Sequence, residues 1–280
     1  MDSATTAGRT PETDEIAEMF DESSDMSNVF NDGQVHLAYW YGEEDEAPLI
    51  EAARRLTRKV ADSLRLREGD QVLDVGCGLG APAIQLATEY GVRVTGVNIS
   101  TRQVAEARAR VRAAGLADQV TFRVGDYGAL DFPDGGFDAV VAMESLVYVG
   151  DLGHTLAGLY RAMRPGGLLC LTEPTREGLD VAAAGRFAAG FGAKRMLSVA
   201  EWLETLREAG FEPAEYLQCG PRVFGMGPKY LQAVDTRREE LAGRFGEVAV
   251  DGLRQTLEEF FAPGADRIGY AVITVRKPGY

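Results

Sequence analysis

Cysteine, histidine and tryptophan are scarce in this 280-residue chain, with three, two and two residues respectively. The cysteines lie far apart, so no disulfide framework is expected and a reducing compartment is. With only His36 and His154, and no paired His/Cys spacing, a zinc centre has no ligand set, and no metal is expected. Positive charge is also short: 29 Lys and Arg stand against 43 Asp and Glu, a net charge of −14. That balance argues against a general nucleic-acid binder and against docking on anionic membranes, while leaving room for a local basic pocket. No apolar run is long enough to span a bilayer, and residues 1–13 are polar and acidic rather than signal-like. What remains is a cytoplasmic protein, expected to be an enzyme, whose 45% hydrophobic residues suffice for a real core.

What is present centres on Asp74-Val75-Gly76-Cys77-Gly78-Leu79-Gly80. An apolar run over 71–75 ends in three alternate glycines, and a helix-compatible segment, 81–90, follows at once. Strand, glycine turn and helix form the first unit of a nucleotide-binding α/β sheet. Glycine lets the backbone approach a ligand closely and opens positive φ. Gly76-x-Gly78-x-x-Ala81 also passes as a loose dinucleotide fingerprint, so a NAD-dependent oxidoreductase stays open at this point.

Residues 1–13 read as a disordered leader and 14–47 as a helical and aromatic cap segment. Ile16, Met19 and Phe20 have helical spacing; the polar stretch 21–28 and a turn at 29–33 end that helix. The aromatic run 35–41 and the acidic loop 42–46 precede a helix over 48–64. Strands at 71–75, 92–97, 120–124, 137–142 and 168–172 alternate with helices at 81–90, 101–114 and 152–163. That alternation predicts an α/β fold with a parallel, doubly wound sheet. Beyond it come an Ala- and Gly-rich segment (177–191), a helix opened by the capping box Ser198/Glu201, and strands at 213–218 and 270–275. Between those strands a glycine-proline loop and helices at 229–242 and 249–261 predict a lid insertion at 220–264.

These motifs resemble the S-adenosylmethionine-dependent methyltransferases of the Rossmann-like, seven-stranded class over residues 48–276, taken as the core. The glycine stretch from Asp74 is similar to that family's glycine motif, and Arg164-Pro165-Gly166-Gly167-Leu168 to the turn before its fifth strand. Leu37-Ala38-Tyr39-Trp40, Val94-Thr95-Gly96-Val97-Asn98-Ile99-Ser100 with Gln103, and Glu144-Ser145-Leu146 are similar to a bacterial natural-product subgroup. That subgroup includes indolocarbazole sugar O-methyltransferases and is related to sterol and prenyl C-methyltransferases and cyclopropane-forming enzymes. The resemblance implies S-adenosyl-L-methionine as cofactor, whose activated methyl leaves the protein to bind, align and exclude water.

It also implies cofactor contacts from Tyr39, Trp40, Asp74, Gly76, Gly78, Asn98, Ser100, Gln103, Asp126, Tyr127 and Glu144. Asp74 would take the methionine ammonium, or else brace the turn. Asn98 stands where the wider family puts an acidic residue on the ribose hydroxyls. An amide still gives and accepts hydrogen bonds, with Gln103 as second partner. A dinucleotide enzyme more typically carries Asp or Glu there. Asp126 resembles the carboxylate that accepts from the adenine amine, with Tyr127 beside the ring; each also reads as a turn residue.

O-methylating relatives carry a histidine general base just after Glu144-Ser145-Leu146, where this chain has Val147-Tyr148. The catalytic candidates are therefore Glu173 and Tyr148. Glu173 would deprotonate a hydroxyl, or take a proton from a carbocation after methylation at carbon, against simple pairing with Arg176. Tyr41, Val147, Phe191 and Phe224 are candidate acceptor contacts, with aromatic faces able to stabilise cations; for Phe191 lid packing is the other reading. Lys194, Arg195, Arg222 and Lys229 flank the lid and suit either an anionic acceptor such as a diphosphate or solvated surface. The expected activity is methyl transfer to a mostly apolar small-molecule acceptor, at oxygen first, with carbon, nitrogen and a non-methylating cyclase as alternatives. Whether the N-terminal helix covers its own site or a neighbour's, and with it homo-oligomerisation, stays open.

Overall fold

The computed structural model describes residues 11–129 and 132–279. In chain order the first elements are α1 (Pro11–Phe30), α2 (Leu49–Leu64), β1 (Gln71–Val75), α3 (Ala81–Tyr90), β2 (Arg93–Asn98), α4 (Thr101–Ala113), β3 (Val120–Val124) and β4 (Phe137–Met143). A 3-10 turn at Leu146–Tyr148 leads to α5 (Leu152–Ala162), β5 (Met163–Arg176), α6 (Val181–Gly190), α7 (Val199–Glu208) and β6 (Glu212–Gln218). Then come α8 (Gly227–Thr236), α9 (Arg238–Phe245), α10 (Glu247–Phe261) and β7 (Ile268–Arg276). The strands form one sheet in the order β3-β2-β1-β4-β5-β7-β6. β1 to β5 are parallel, and β7 runs antiparallel to both β5 and β6. This is the doubly wound, mostly parallel sheet the alternation predicts.

Strand periodicity places the two cores. Along β1, Val72 enters the core under α2, α3 and α4, while Leu73 and Val75 enter the opposite core with α5 and α7. α2 shows why one helix face settles there. Ala52, Ala53, Leu56, Val60, Ala61 and Leu64 are buried at helical spacing, and Arg58 on the other side pairs with Glu51 and Glu89. Truncating Leu56 to Ala would cost about 2–5 kcal/mol, the price of a cavity at a fully buried position.

Three local expectations change. The leader lies outside the described residues as far as residue 10, and α1 begins at Pro11 and continues through the polar stretch to Phe30. Tertiary contact overrides local polarity there: Asp25 pairs with Arg102 of α4 at 2.5 Å, and Asn28 bonds Glu106 and Arg110. The Arg164-Gly167 stretch is a bulge inside β5 rather than a turn before it, between the pairs Phe137↔Met163 and Ala139↔Leu168. Gly166 takes φ +80° and donates its N–H to Lys277 O. The helix expected over 229–242 breaks into α8 and α9 at Arg237, whose guanidinium reaches Val29 O, Phe30 O and Glu240. No helix among the described residues is long and apolar enough to cross a membrane.

Candidate active site

The strand order reverses between β1 and β4, and ligands of open α/β sheets bind in the crevice beyond the strand ends at that point. Here a cleft of about 670 Å³ opens at those ends. Its floor is the turn after β1. Gly76 N–H and Cys77 N–H both donate to Val97 O, which ties the turn to β2. Gly76 takes φ +79°, and a Cβ there would collide with Ser145. Gly78 takes φ +52°, with Val35 closing over it. Both positions therefore require glycine on conformation and on space.

Asp74 lines this cleft with a buried Oδ2 that has no partner among the described residues. Burial pushes its carboxyl up to about 7. A bound cation is one partner that would satisfy this buried oxygen at the head of the cleft. Across the floor, Asn98 Nδ2 donates to Gln103 Oε1 at 2.7 Å, and Gln103 Nε2 donates to Phe20 O of α1 at 3.3 Å. Ile16 and Phe20 line the cleft, so α1 covers the site of its own chain. Asp126 borders an adjoining recess with Tyr127, His154 and Lys194; its Oδ1 already accepts Gly128 N–H at 2.8 Å. The Tyr127 hydroxyl donates to Ser145 O at 2.6 Å.

Glu144 stands at the far wall. It follows β4 with φ +51°, a left-handed conformation uncommon for a side-chain residue. Its Oε1 accepts both Leu37 N–H and the Tyr270 hydroxyl, each at 2.6 Å. Burial raises the Glu144 carboxyl to about 7, against the lowering effect of those two donors. Glu144 and Tyr148 border the cleft on one side and, on the other, a second chamber of about 450 Å³. That chamber is walled by Val147, Pro174, Phe187, Phe191, Met196 and Phe260. Phe20 of α1 meets Tyr148 edge-on, with ring centroids 5.2 Å apart.

Several expected site residues sit elsewhere. Glu173 is fully buried and borders neither space: Oε1 accepts Leu146 N–H at 2.9 Å, and Oε2 is sealed without a partner. It braces the 3-10 turn from beneath, and burial holds its carboxyl well above the usual range. Its expected partner Arg176 pairs with Glu201 instead. Tyr39 and Trp40 lie outside the cleft. The Tyr39 hydroxyl accepts from Arg222, with Lys59 4.3 Å over its ring, and Trp40 Nε1 donates to Ala47 O. Ser100 caps α4, accepting Gln103 N–H and donating to Asp21 of α1. Tyr41 is 60% exposed on an outer groove. Phe224 is buried behind Phe187 and Phe260, one aromatic layer from the chamber.

Other residues line these spaces without having been singled out: Val35 and Met143 in the cleft, and Pro174, Met196 and Phe260 in the chamber. His36 also borders the cleft, yet Nδ1 donates to Leu37 O and Nε2 faces Gln34 and Thr57; burial lowers it to about 4 and keeps it neutral. Phe260 had a helical-spacing signal that reads as packing; nothing in the sequence marked the rest.

The family profile described as mycolic acid cyclopropane synthetase matches residues 7–204. The 27-O-demethylrifamycin SV methyltransferase of Amycolatopsis mediterranei is 34% identical over 284 residues, covering 96% of this chain and 98% of that protein. The O-methyltransferase resE of Aspergillus sclerotiorum is 30% identical over 271 residues, covering 95% and 98%. Among solved structures, the 4+2 cyclase SpnF superposes with a TM-score of 0.83 at 31% identity, covering 97% and 98%. The site fits the cofactor of such enzymes: the orphaned Asp74 oxygen suits a methionine ammonium, and Gly76, Gly78, Asn98 and Gln103 line the same cleft. The chain belongs to the mycolic acid cyclopropane synthetase family of class I S-adenosylmethionine-dependent methyltransferases.

Proposed function

We propose that the protein methylates a hydroxyl of a mostly apolar specialised metabolite, with Glu144 as general base. The observation that carries this reading is the position of Glu144, the carboxyl that borders both the cleft beyond β1 and the aromatic chamber. When bound, S-adenosylmethionine supplies a methyl on a positively charged sulfur and departs as neutral S-adenosylhomocysteine. Asp74 would hold the ammonium, Asn98 and Gln103 the ribose hydroxyls, and Asp126 and Tyr127 the adenine side. The acceptor lies in the chamber against Val147, Phe191 and Phe260, with Tyr148 between it and the cleft.

Glu144 Oε2 receives the hydroxyl proton as the oxygen gains the methyl, so one positive charge is consumed and one proton is retained. A carboxyl raised to about 7 is matched to that task near neutral pH, since a general base works best when its pKa lies near the working pH. Chamber chemistry supports an apolar acceptor over a diphosphate. Arg195 spends its guanidinium on Leu146 O and Gly150 O, Arg222 on Tyr39, and Lys229 on Glu43 O and Asp45 O. The names of the two relatives, both transferring methyl to oxygen, point the same way.

The test is incubation with methyl-labelled S-adenosylmethionine and a panel of apolar polyketides and phenols, each matched with its methyl ether, its amine and a prenylated alkene. Label is expected on free hydroxyls and on none of the ethers. Label on alkene carbon, or equal labelling of the ethers, would overturn the assignment to oxygen.

A further inference from the structure

Resting on the base role of Glu144, we propose that Tyr270 is a positioning residue for the reaction: its hydroxyl and Leu37 N–H together pin Oε1 of Glu144, so that Oε2 alone is presented to the acceptor. Tyr270 touches neither space. It is fully buried on β7, opposite Pro174 of β5, and reaches across β5 to the residue that follows β4. A buried phenol needs one partner, which a backbone carbonyl could supply. This one instead reaches 2.6 Å to a carboxylate whose backbone is held in the left-handed region.

Both donors end on the same oxygen. The other oxygen has no protein partner among the described residues and belongs to a side chain bordering both the cleft and the chamber. Two donors on one oxygen draw charge toward it and fix the carboxyl plane, which directs the incoming proton to Oε2 and stops the group turning away. Other ionisable groups around Glu144 are Glu173 from β5, Tyr148 from the 3-10 turn and Tyr230 from α8. The Tyr230 hydroxyl accepts Ala38 N–H at 2.6 Å, holding the neighbour of Leu37. The segment that supplies the second donor is thus anchored from the lid, and Tyr270 supplies the first from the sheet.

The test reads Glu144 itself, with no acceptor required. Protein labelled with carboxyl-13C glutamate and saturated with S-adenosylhomocysteine is titrated by NMR, the Glu144 signal being assigned by its loss in Glu144→Gln. Tyr270→Phe deletes the donor and is expected to raise the midpoint by roughly half to one pH unit. 3-Fluorotyrosine placed at position 270, a more acidic phenol and stronger donor, is expected to lower it. A merely structural Tyr270 would not move the midpoint in opposite directions with donor strength. Midpoints equal to wild type in the fluorotyrosine protein would overturn the proposal, and that arm decides if the Phe variant fails to bind S-adenosylhomocysteine. The base reading fails separately, by Glu144→Gln retaining methyl transfer to a hydroxylated acceptor from the panel.

Discussion

The two spaces that meet at Glu144 are built by opposite means. On the cofactor side the glycine turn and the polar side chains of Asp74, Asn98, Gln103 and Glu144 stand at or near the ends of β1, β2 and β4, beneath apolar side chains that include Ile16 and Phe20 of α1. On the acceptor side they are large apolar side chains from β5, α6, α10 and the 3-10 turn, elements far apart in sequence. A backbone-built site tolerates almost no change at its glycines, because φ and close approach are set by the main chain. A side-chain-built site can be reshaped by one substitution without losing the fold. On the proposed reading the first would hold the cofactor and the second would select the acceptor.

The comparison can be broken most severely at Gly76. Gly76→Ala places a side chain at φ +79° into Ser145, and S-adenosylhomocysteine affinity measured by calorimetry should fall about 100-fold or more. Phe260→Ala is the matching change on the other side. It should leave S-adenosylhomocysteine affinity as it was and shift discrimination between acceptors of different bulk by about 10-fold in kcat/KM. If the Phe260 variant lost cofactor binding, the two halves would not be separable.

The smallest effect concerns the brace beneath them. Asp74 and Glu144 are raised to about 7, and Glu173 well above its ordinary value. The native state keeps protons that the unfolded chain releases above about pH 4.3. The contribution of these three groups to stability is therefore full below that pH and is lost as pH climbs toward the folded-state values. Glu173→Gln should weaken that decline with rising pH, read as a flatter Tm against pH. An unchanged slope would show that Glu173 is not held neutral.

Legibility followed the same division. The order of strands and helices, the glycine turn, and the positions of Asp74, Asn98 and Gln103 were readable because each is fixed by neighbours within a few residues. Glu173 lies outside both spaces because strand order brings its side chain under the 3-10 turn, a burial set by packing of β5 against β4 and β7. Tyr39 and Trp40 lie outside the cleft for a similar reason: their side chains are held by Arg222 and by Ala47 O. Neither the left-handed backbone at Glu144 nor its bond to Tyr270, 126 residues later, leaves any trace in local sequence. The polar half of α1 is helical because Arg102 and Arg110 of α4 meet it, which no window along α1 contains.

The measurement that tests the account most directly is methyl transfer by Glu144→Gln and Glu173→Gln side by side, at saturating S-adenosylmethionine and a hydroxylated apolar acceptor that the wild type methylates. The account predicts that kcat of the Glu144 variant falls about 10²–10⁴-fold with S-adenosylhomocysteine affinity kept, while the Glu173 variant retains most of its rate. A Glu144 variant at full rate beside an inactive, folded Glu173 variant would contradict it.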